Sequence, residues 1–487
     1  MSSRDVSSPI PESADTILPS LSLFTMLRLG VFNMGLGIMS LLTLGVLNRV
    51  MIEELRVPAL IAAGAIAVHQ FMAPARVWFG QMSDSKPMFG YHRSGYIWVG
   101  ILTVAITSFL ALQVVWQLGR TIAETGWSAQ VYPWVGLLGL LFAVYGLALS
   151  ATSTPFTALL VDVSDEDSRS RLVGIGWAML MVGIITGVII TSIVLRPIEL
   201  NSPIEQVQRA VNRLFIIAPA IVCVLAILST AGIERKYSRL AQRSSLRNRE
   251  DSITLRQALK ILTASRQTGL FFTFLLVLSL SLFMQDAILE PYGGEVFSMS
   301  IAETTQLNAA YGMGTLIGII VTGWLVVPRI GKKRTVALGC CWGAICLLGI
   351  MLSGLTGSPQ VLLTTVFLFG LASGILTLGA IVLMLDLTVA ETAGTFIGAW
   401  GLAQAMARGS ATVLGGGLLD LGRAIFGTAG DAAEVSQVQV VLAFGLVFSL
   451  QALGMLAAIL LLSRVDIKEF QANAKAAITA ALQSEMD

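Results

Sequence analysis

Nine ionisable side chains stand inside or at the ends of long apolar stretches, where a charge is costly and usually functional. Asp286 and Glu290 are four residues apart, so a helix would place them on one face. Two carboxylates that close tend to share a proton, which suits a proton relay. The same pair could instead cap a helix end and order the turn Pro291-Tyr292-Gly293-Gly294. Arg408 lies mid-stretch among small residues, Gly401-Leu402-Ala403-Gln404-Ala405-Met406-Ala407-Arg408-Gly409. It requires an acidic partner or a water-filled cavity, and Asp386, Asp286 and Glu290 are the acids of suitable type. It would serve as a ligand contact or as a structural ion pair. His69 and Arg76 are seven apart and share a helical face. Arg76 and Arg93 bracket Asp84, a combination that could hold one conformation closed by ion pairing. Asp162 and Asp386 end two apolar stretches in matching positions and could accept bonds from Arg93, Arg169 or the Lys332 cluster.

These groups need a frame of membrane helices. The chain has 487 residues, 55% hydrophobic and 12% charged. An ordinary soluble domain carries about 25% charge. The composition argues against a soluble enzyme, a nucleic-acid binder and a disordered scaffold, and a net charge of +2 gives no reason to expect a polyanionic partner. A spanning helix needs about 20 apolar residues. Twelve such runs occur, near 27–47, 58–79, 95–117, 134–160, 172–195 and 213–233, then 270–290, 306–327, 335–355, 360–385, 394–420 and 438–463. Their unbroken apolar character reads as helices and not as barrel strands. The expected class is therefore an all-α integral membrane protein.

Residues 1–25 are polar, hold Pro9, Pro11 and Pro19, and lack the features of a signal peptide. They read as a flexible tail. Residues 26–233 form one six-helix half and 269–463 the other. Between them, 234–268 reads as a cytoplasmic linker with an amphipathic helix over 253–264, and 464–487 as a cytoplasmic tail. With the N-terminus inside, 22 Lys and Arg residues fall in inner segments and 7, among them Arg49, Arg56 and Arg423, in outer ones. That bias puts both termini in the cytoplasm. Trp116, Trp127 and Trp134 fit an interfacial belt. The cysteines, Cys223, Cys340, Cys341 and Cys346, read as small buried hydrophobes, and two histidines are too few for a multi-histidine metal site.

The halves repeat. Leu160-Val161-Asp162 is followed by Gly174-Ile175-Gly176-Trp177, and Met384-Leu385-Asp386 by Ile397-Gly398-Ala399-Trp400. Gly80-Gln81-Met82-Ser83-Asp84 resembles a cytoplasmic loop motif of the major facilitator superfamily, whose halves rock about a midplane site. Gly323-Trp324-Leu325-Val326-Val327, with Lys332-Lys333-Arg334, stands at the counterpart position without the acid. Three further segments are more specific: Leu44 to Leu55 with Val57-Pro58-Ala59; Gly90-Tyr91-His92-Arg93; and Gln285-Asp286-Ala287-Ile288-Leu289-Glu290-Pro291-Tyr292-Gly293-Gly294-Glu295-Val296-Phe297. Across about residues 22–465 the chain resembles the PucC, or bacteriochlorophyll-delivery, family of that superfamily. The run from His69 to Gly80 is most similar to cyanobacterial members.

The resemblance implies twelve helices in two repeats and a role in handling chlorophyll or bacteriochlorophyll for light-harvesting or photosystem assembly. It implies chlorophyll as a bound ligand, and partners among light-harvesting, photosystem or pigment-synthesis membrane proteins, in a thylakoid or plasma membrane. His69 is then a candidate ligand of the pigment magnesium. Mg²⁺ prefers oxygen, so a carboxylate, Asn33, Gln70, Gln404 or a water competes with it. Two other functions fit the same residues: a proton-coupled carrier of a small anionic solute, and a scaffold that transports nothing. No Ser/His/Asp arrangement or phosphate-binding glycine loop marks an enzyme.

Overall fold

The computed structural model describes residues 21–164, 166–198, 202–238, 266–387, 393–427 and 436–466, with some side chains inside these ranges left out. The expected amphipathic helix at 253–264, both tails and most of the linker lie outside the described residues. The described α-helices follow in chain order: α1 Leu23–Ser40, α2 Ala59–Phe71, α3 Ala75–Ser85, α4 Ser94–Thr125, α5 Tyr132–Val163, α6 Glu166–Leu195, α7 Ile204–Thr230 and α8 Ile233–Tyr237. After the linker come α9 Arg266–Phe283, α10 Leu289–Phe297, α11 Ile301–Val321, α12 Val327–Ile330, α13 Lys332–Ser353, α14 Pro359–Leu387, α15 Ala393–Phe426 and α16 Gln437–Ser463. Helices dominate because lipid leaves backbone groups no partner except one another.

Ten described helical stretches are long and apolar enough to cross a membrane. The other two expected spans behave differently. The run at 58–79 is divided into α2 and α3 at Met72-Ala73-Pro74. Pro74 has no N–H to donate, and its ring crowds the preceding turn. The run at 394–420 lies within α15, whose side chains at 393–400 are not described.

The helix pairings repeat between the halves. α1 packs on α6 and α7, α2 and α4 on α5, and α4 on α7. In the second half α9 packs on α15 and α16, α11 and α13 on α14, and α13 on α16. Each pair has its counterpart at the equivalent position. The halves meet through α2 against α15 and α6 against α11, again equivalent pairs. Glycines allow the closest approaches. A Cβ on Gly183 would strike the Met34 carbonyl of α1, and one on Gly370 the Tyr311 carbonyl of α11. Such small-residue seams are how membrane helices gain packing where lipid offers no hydrophobic drive.

Two helices depart from regularity. α1 continues through wide π-helical turns at Leu41–Leu47 and Val50–Glu54. The expected end near 47 is therefore too early, and Arg49, assigned above to an outer loop, is helical and fully buried. Its neighbours Glu53 and Glu54 look like loop charges in the sequence; in the fold they neutralise it. Beyond α9 the chain turns through a 3₁₀ segment, Met284–Ala287, before α10. Pro291-Tyr292-Gly293-Gly294, expected to turn, is helical within α10. Trp116 is buried, its indole N–H donating to Asn212 Oδ1 at 3.0 Å, so it belongs to the packing of α4 on α7 and not to a belt. Cys340 and Cys346 are buried, but Cys341 is exposed and Cys223 half-buried.

Candidate functional site

The break after α9 separates the two acids expected on one face. Asp286, in the 3₁₀ turn, faces α15. Its Oδ2 accepts from Arg408 Nη2 at 2.8 Å and Nε at 3.2 Å. Arg408 also lies over the Phe283 ring, 4.6 Å from its centroid. Of the three acids of suitable type, Asp286 is the partner. The pair is not sealed: the Arg408 side chain is 33% exposed and Asp286 15%. Arg408 Nη1 donates to none of the described residues. Tyr311 of α11 and His69 of α2 lie within electrostatic reach of Arg408, and Gly409 packs on Gln70 and Phe71. Four elements from both halves thus converge on one arginine.

Glu290, on α10, turns elsewhere. It is buried, and its Oε1 accepts from Asn308 Nδ2 of α11. Its Oε2 has no hydrogen-bond partner among the described residues. The carboxyl fits against α1 only because residue 45 is glycine; a Cβ there would meet Oε1.

His69 is buried, with both ring nitrogens engaged. Nδ1 meets the Ile66 carbonyl, and Nε2 lies 2.9 Å from Gln70 Nε2. A proton on Nδ1 satisfies both contacts, leaving Nε2 to accept from the amide. Tyr145 and Phe142 flank the ring at 5.7 and 6.4 Å between centroids. As built, the imidazole offers no spare lone pair to a metal.

Arg49, placed in an outer loop from the sequence, carries a further network. Its Nε is 3.0 Å from Glu53 Oε2, Nη1 donates to Thr304, and Nη2 donates to the Met299 carbonyl at 2.7 Å. Asn48 beside it donates to the Ala287 carbonyl at 2.7 Å. All described partners except Glu53 and Glu54 lie in the second half. At the same end of the bundle Arg423 pairs with Glu295. Asp420 of α15 accepts the backbone N–H groups of Ala59 and Leu60 at 3.0 and 2.8 Å. It thereby caps α2, whose own preceding residue, Pro58, supplies no side-chain acceptor. An (i, i+4) Arg-x-x-x-Glu beside an apolar run was the available signal for Arg49.

At the opposite ends of these helices Arg93 is buried between Asp162, 3.0 Å from its Nε, and Ser83 Oγ, 2.6 Å from Nη1. Of the donors considered for Asp162, Arg93 is bonded to it, while the side chain of Arg169 lies outside the described residues. Glu234 accepts the N–H groups of His92, Arg93 and Ser94, at 2.6, 3.1 and 2.7 Å. It thus satisfies the start of α4, where helix N–H groups have no partner within the helix. Arg76, in the first turn of α3, is exposed. Asp84 closes the same helix, about 12 Å further along its axis by the helical rise. The side chains of Asp84 and Asp386 lie outside the described residues.

The family model described as "PUCC protein" matches residues 46–470, so the chain belongs to that family. It is 29% identical to "Uncharacterized protein in puhA-bchM intergenic region" of Rhodobacter capsulatus, over 84% of this chain and 82% of that one. "Protein PucC" of Rhodovulum sulfidophilum is 28% identical, over 84% and 87%. "Bacteriochlorophyll synthase 44.5 kDa chain" of Rhodobacter capsulatus is 29% identical, over 88% and 91%. Among solved structures, the nucleoside transporter NupG superposes with a TM-score of 0.62 at 12% identity, covering 91% of this chain and 99% of that one. A D-xylose–proton symporter does so with 0.59 at 14%, over 89% and 97%. The fold is that of membrane transporters, and the protein is a multi-pass membrane protein.

Proposed function

We propose that this chain is a major facilitator superfamily carrier or assembly factor for chlorophyll or bacteriochlorophyll, passing pigment to light-harvesting or photosystem proteins. The observation that carries this reading is the family match across 46–470 on a transporter fold. One relative's name, with its mention of bacteriochlorophyll, supports the pigment. The ligand would lie between the halves, against apolar side chains with a few polar groups to fix its orientation. Arg408 and Asp286 are the polar groups best placed for that. The Arg49 network ties the halves at one end, so in this state passage would run through the Arg93 end. We read the protein as a carrier and not an enzyme, with both termini and the 234–268 linker cytoplasmic, in a thylakoid or plasma membrane of a cyanobacterium. Arg93 with Asp162 braces the inner face; Arg76, Asp84 and Asp386 are further inner-face candidates.

The test is pigment per protein after gentle solubilisation from a chlorophyll-producing host. Wild type should retain pigment, and His69→Ala should retain as much, since the imidazole is already satisfied. No pigment in the wild type, under conditions that keep known pigment complexes intact, would overturn the reading in favour of a scaffold. Outside labelling of a cysteine placed at 243–249 in intact membranes would overturn the orientation. A second reading, a proton-coupled carrier of a small anion, is favoured by the partly open Arg408–Asp286 pair. Uptake abolished by a protonophore would select it.

A further inference from the structure

The Arg408 site has a chemical preference that its geometry discloses. Arginine–carboxylate pairs are frequently bidentate, with two parallel bonds to two carboxylate oxygens. Here both donated bonds go to a single oxygen, Asp286 Oδ2. Asp286 Oδ1 is taken by Gln285 Nε2 at 3.3 Å. Arg408 Nη1 stays uncommitted among the described residues, and a third of the side chain is open. One face of the guanidinium is covered by Phe283, so approach is restricted to the edge and the free face. A flat cation with an aromatic floor and unused donors suits a flat ligand that carries its own carboxylate. Such a ligand would share or displace Asp286 at the fork, the bidentate geometry that arginine favours.

We propose that Arg408 receives a carboxylate borne by the ligand, Asp286 being the resident counter-ion that yields to it. Resting on the pigment reading above, this makes the preferred cargo the free-acid form of a magnesium tetrapyrrole and not its long-chain ester. The ester has the same ring and more apolar surface but no anion for the fork. A fatty acid presents the same carboxylate without the ring, and it is the other source of this chemistry.

Purified protein in detergent is titrated with chlorophyllide a, chlorophyll a and oleate, followed by pigment absorbance and by displacement. Wild type should bind the free acid at least tenfold tighter than the ester, with oleate displacing it weakly. Arg408→Gln should abolish the preference, lowering acid binding at least tenfold and ester binding much less. Asp286→Asn removes the resident competitor and should tighten acid binding several-fold, whereas loss of a purely structural pair would weaken both ligands alike. Equal binding of acid and ester by the wild type overturns the proposal while leaving the pigment reading intact. That ratio decides even if Arg408→Gln does not fold. Oleate equal to the free acid, with both dependent on Arg408, overturns the tetrapyrrole and assigns the site to lipid acids. Binding of neither pigment removes the pigment reading itself.

Discussion

Arg49 and Arg93 are both buried arginines held by carboxylates, at opposite ends of the bundle, yet they join different things. Arg49 stands on α1 and reaches Thr304 and the Met299 carbonyl, about 250 residues away in the other half. The described partners of Arg93 are Asp162 and Ser83, and Glu234 holds the backbone beside it; all belong to the same half. One arginine is a bolt between two bodies. Among the described residues, the other stiffens one body. On the carrier reading proposed above, rocking of the halves would break the first set of bonds, while the described part of the second would travel intact. Burial and charge pairing alone therefore do not mark a contact between the halves; the sequence distance of the partners does.

The largest effect should come from Arg49→Met. It leaves Glu53, whose side chain is 12% exposed, without its cation, and breaking a buried pair costs about 3–5 kcal/mol. We expect a lower melting temperature in detergent and greater labelling of a cysteine replacing Ala59, which is buried against Gly416 of the other half. If labelling at this end matches the wild type, the bolt account fails. Arg93→Met should cost a similar or slightly smaller amount, about 3 kcal/mol by the same reasoning, but with labelling at the Arg49 end unchanged. A rise there would show that the two ends are coupled through more than rigid-body motion.

Gly45→Ala should come next. The new methyl would occupy the space of Glu290 Oε1, and overpacking typically costs about 1–3 kcal/mol. Glu290→Ala should relieve it, so the double mutant should melt above Gly45→Ala alone. Failure of that rescue would mean the carboxyl does not press on α1. Asp420→Ala should cost about 1 kcal/mol, the usual worth of a helix cap, and should act through contact between the halves. Smallest of all, Trp324→Ala should change stability by less than about 0.5 kcal/mol, because the indole is 87% exposed on the bundle surface.

The frame of the molecule was legible from apolar run length, since lipid imposes it, and the repeat of Asp162 and Asp386 pointed to two equivalent halves. The division of the second span was also available, in Pro74. What was hidden lies in pairings across the fold. Nothing local distinguishes Asp286 from Glu290 as the partner of Arg408, 122 positions away; the 3₁₀ turn decides, and Phe283-Met284-Gln285 contains no proline or glycine to announce it. Arg49 was misplaced because hydropathy counts Arg49, Glu53 and Glu54 as three charges that end a span. In the folded helix they largely cancel, and a wide turn on either side of Arg49 carries it into the interior.

Asp420 lends α2 a cap from the other half, and the loan has a kinetic meaning. The amides of Ala59 and Leu60 are bonded where the halves touch; on the carrier reading, parting of the halves would leave the first turn of α2 without that acceptor, and it would fray. Hydrogen exchange at these two amides should therefore clock the opening of this end directly, with no label attached. Under a ligand that holds the halves together the exchange slows, and the slowing measures how far that ligand shifts the equilibrium. A helix start that is complete only in one arrangement thus doubles as a built-in reporter of which arrangement the protein occupies.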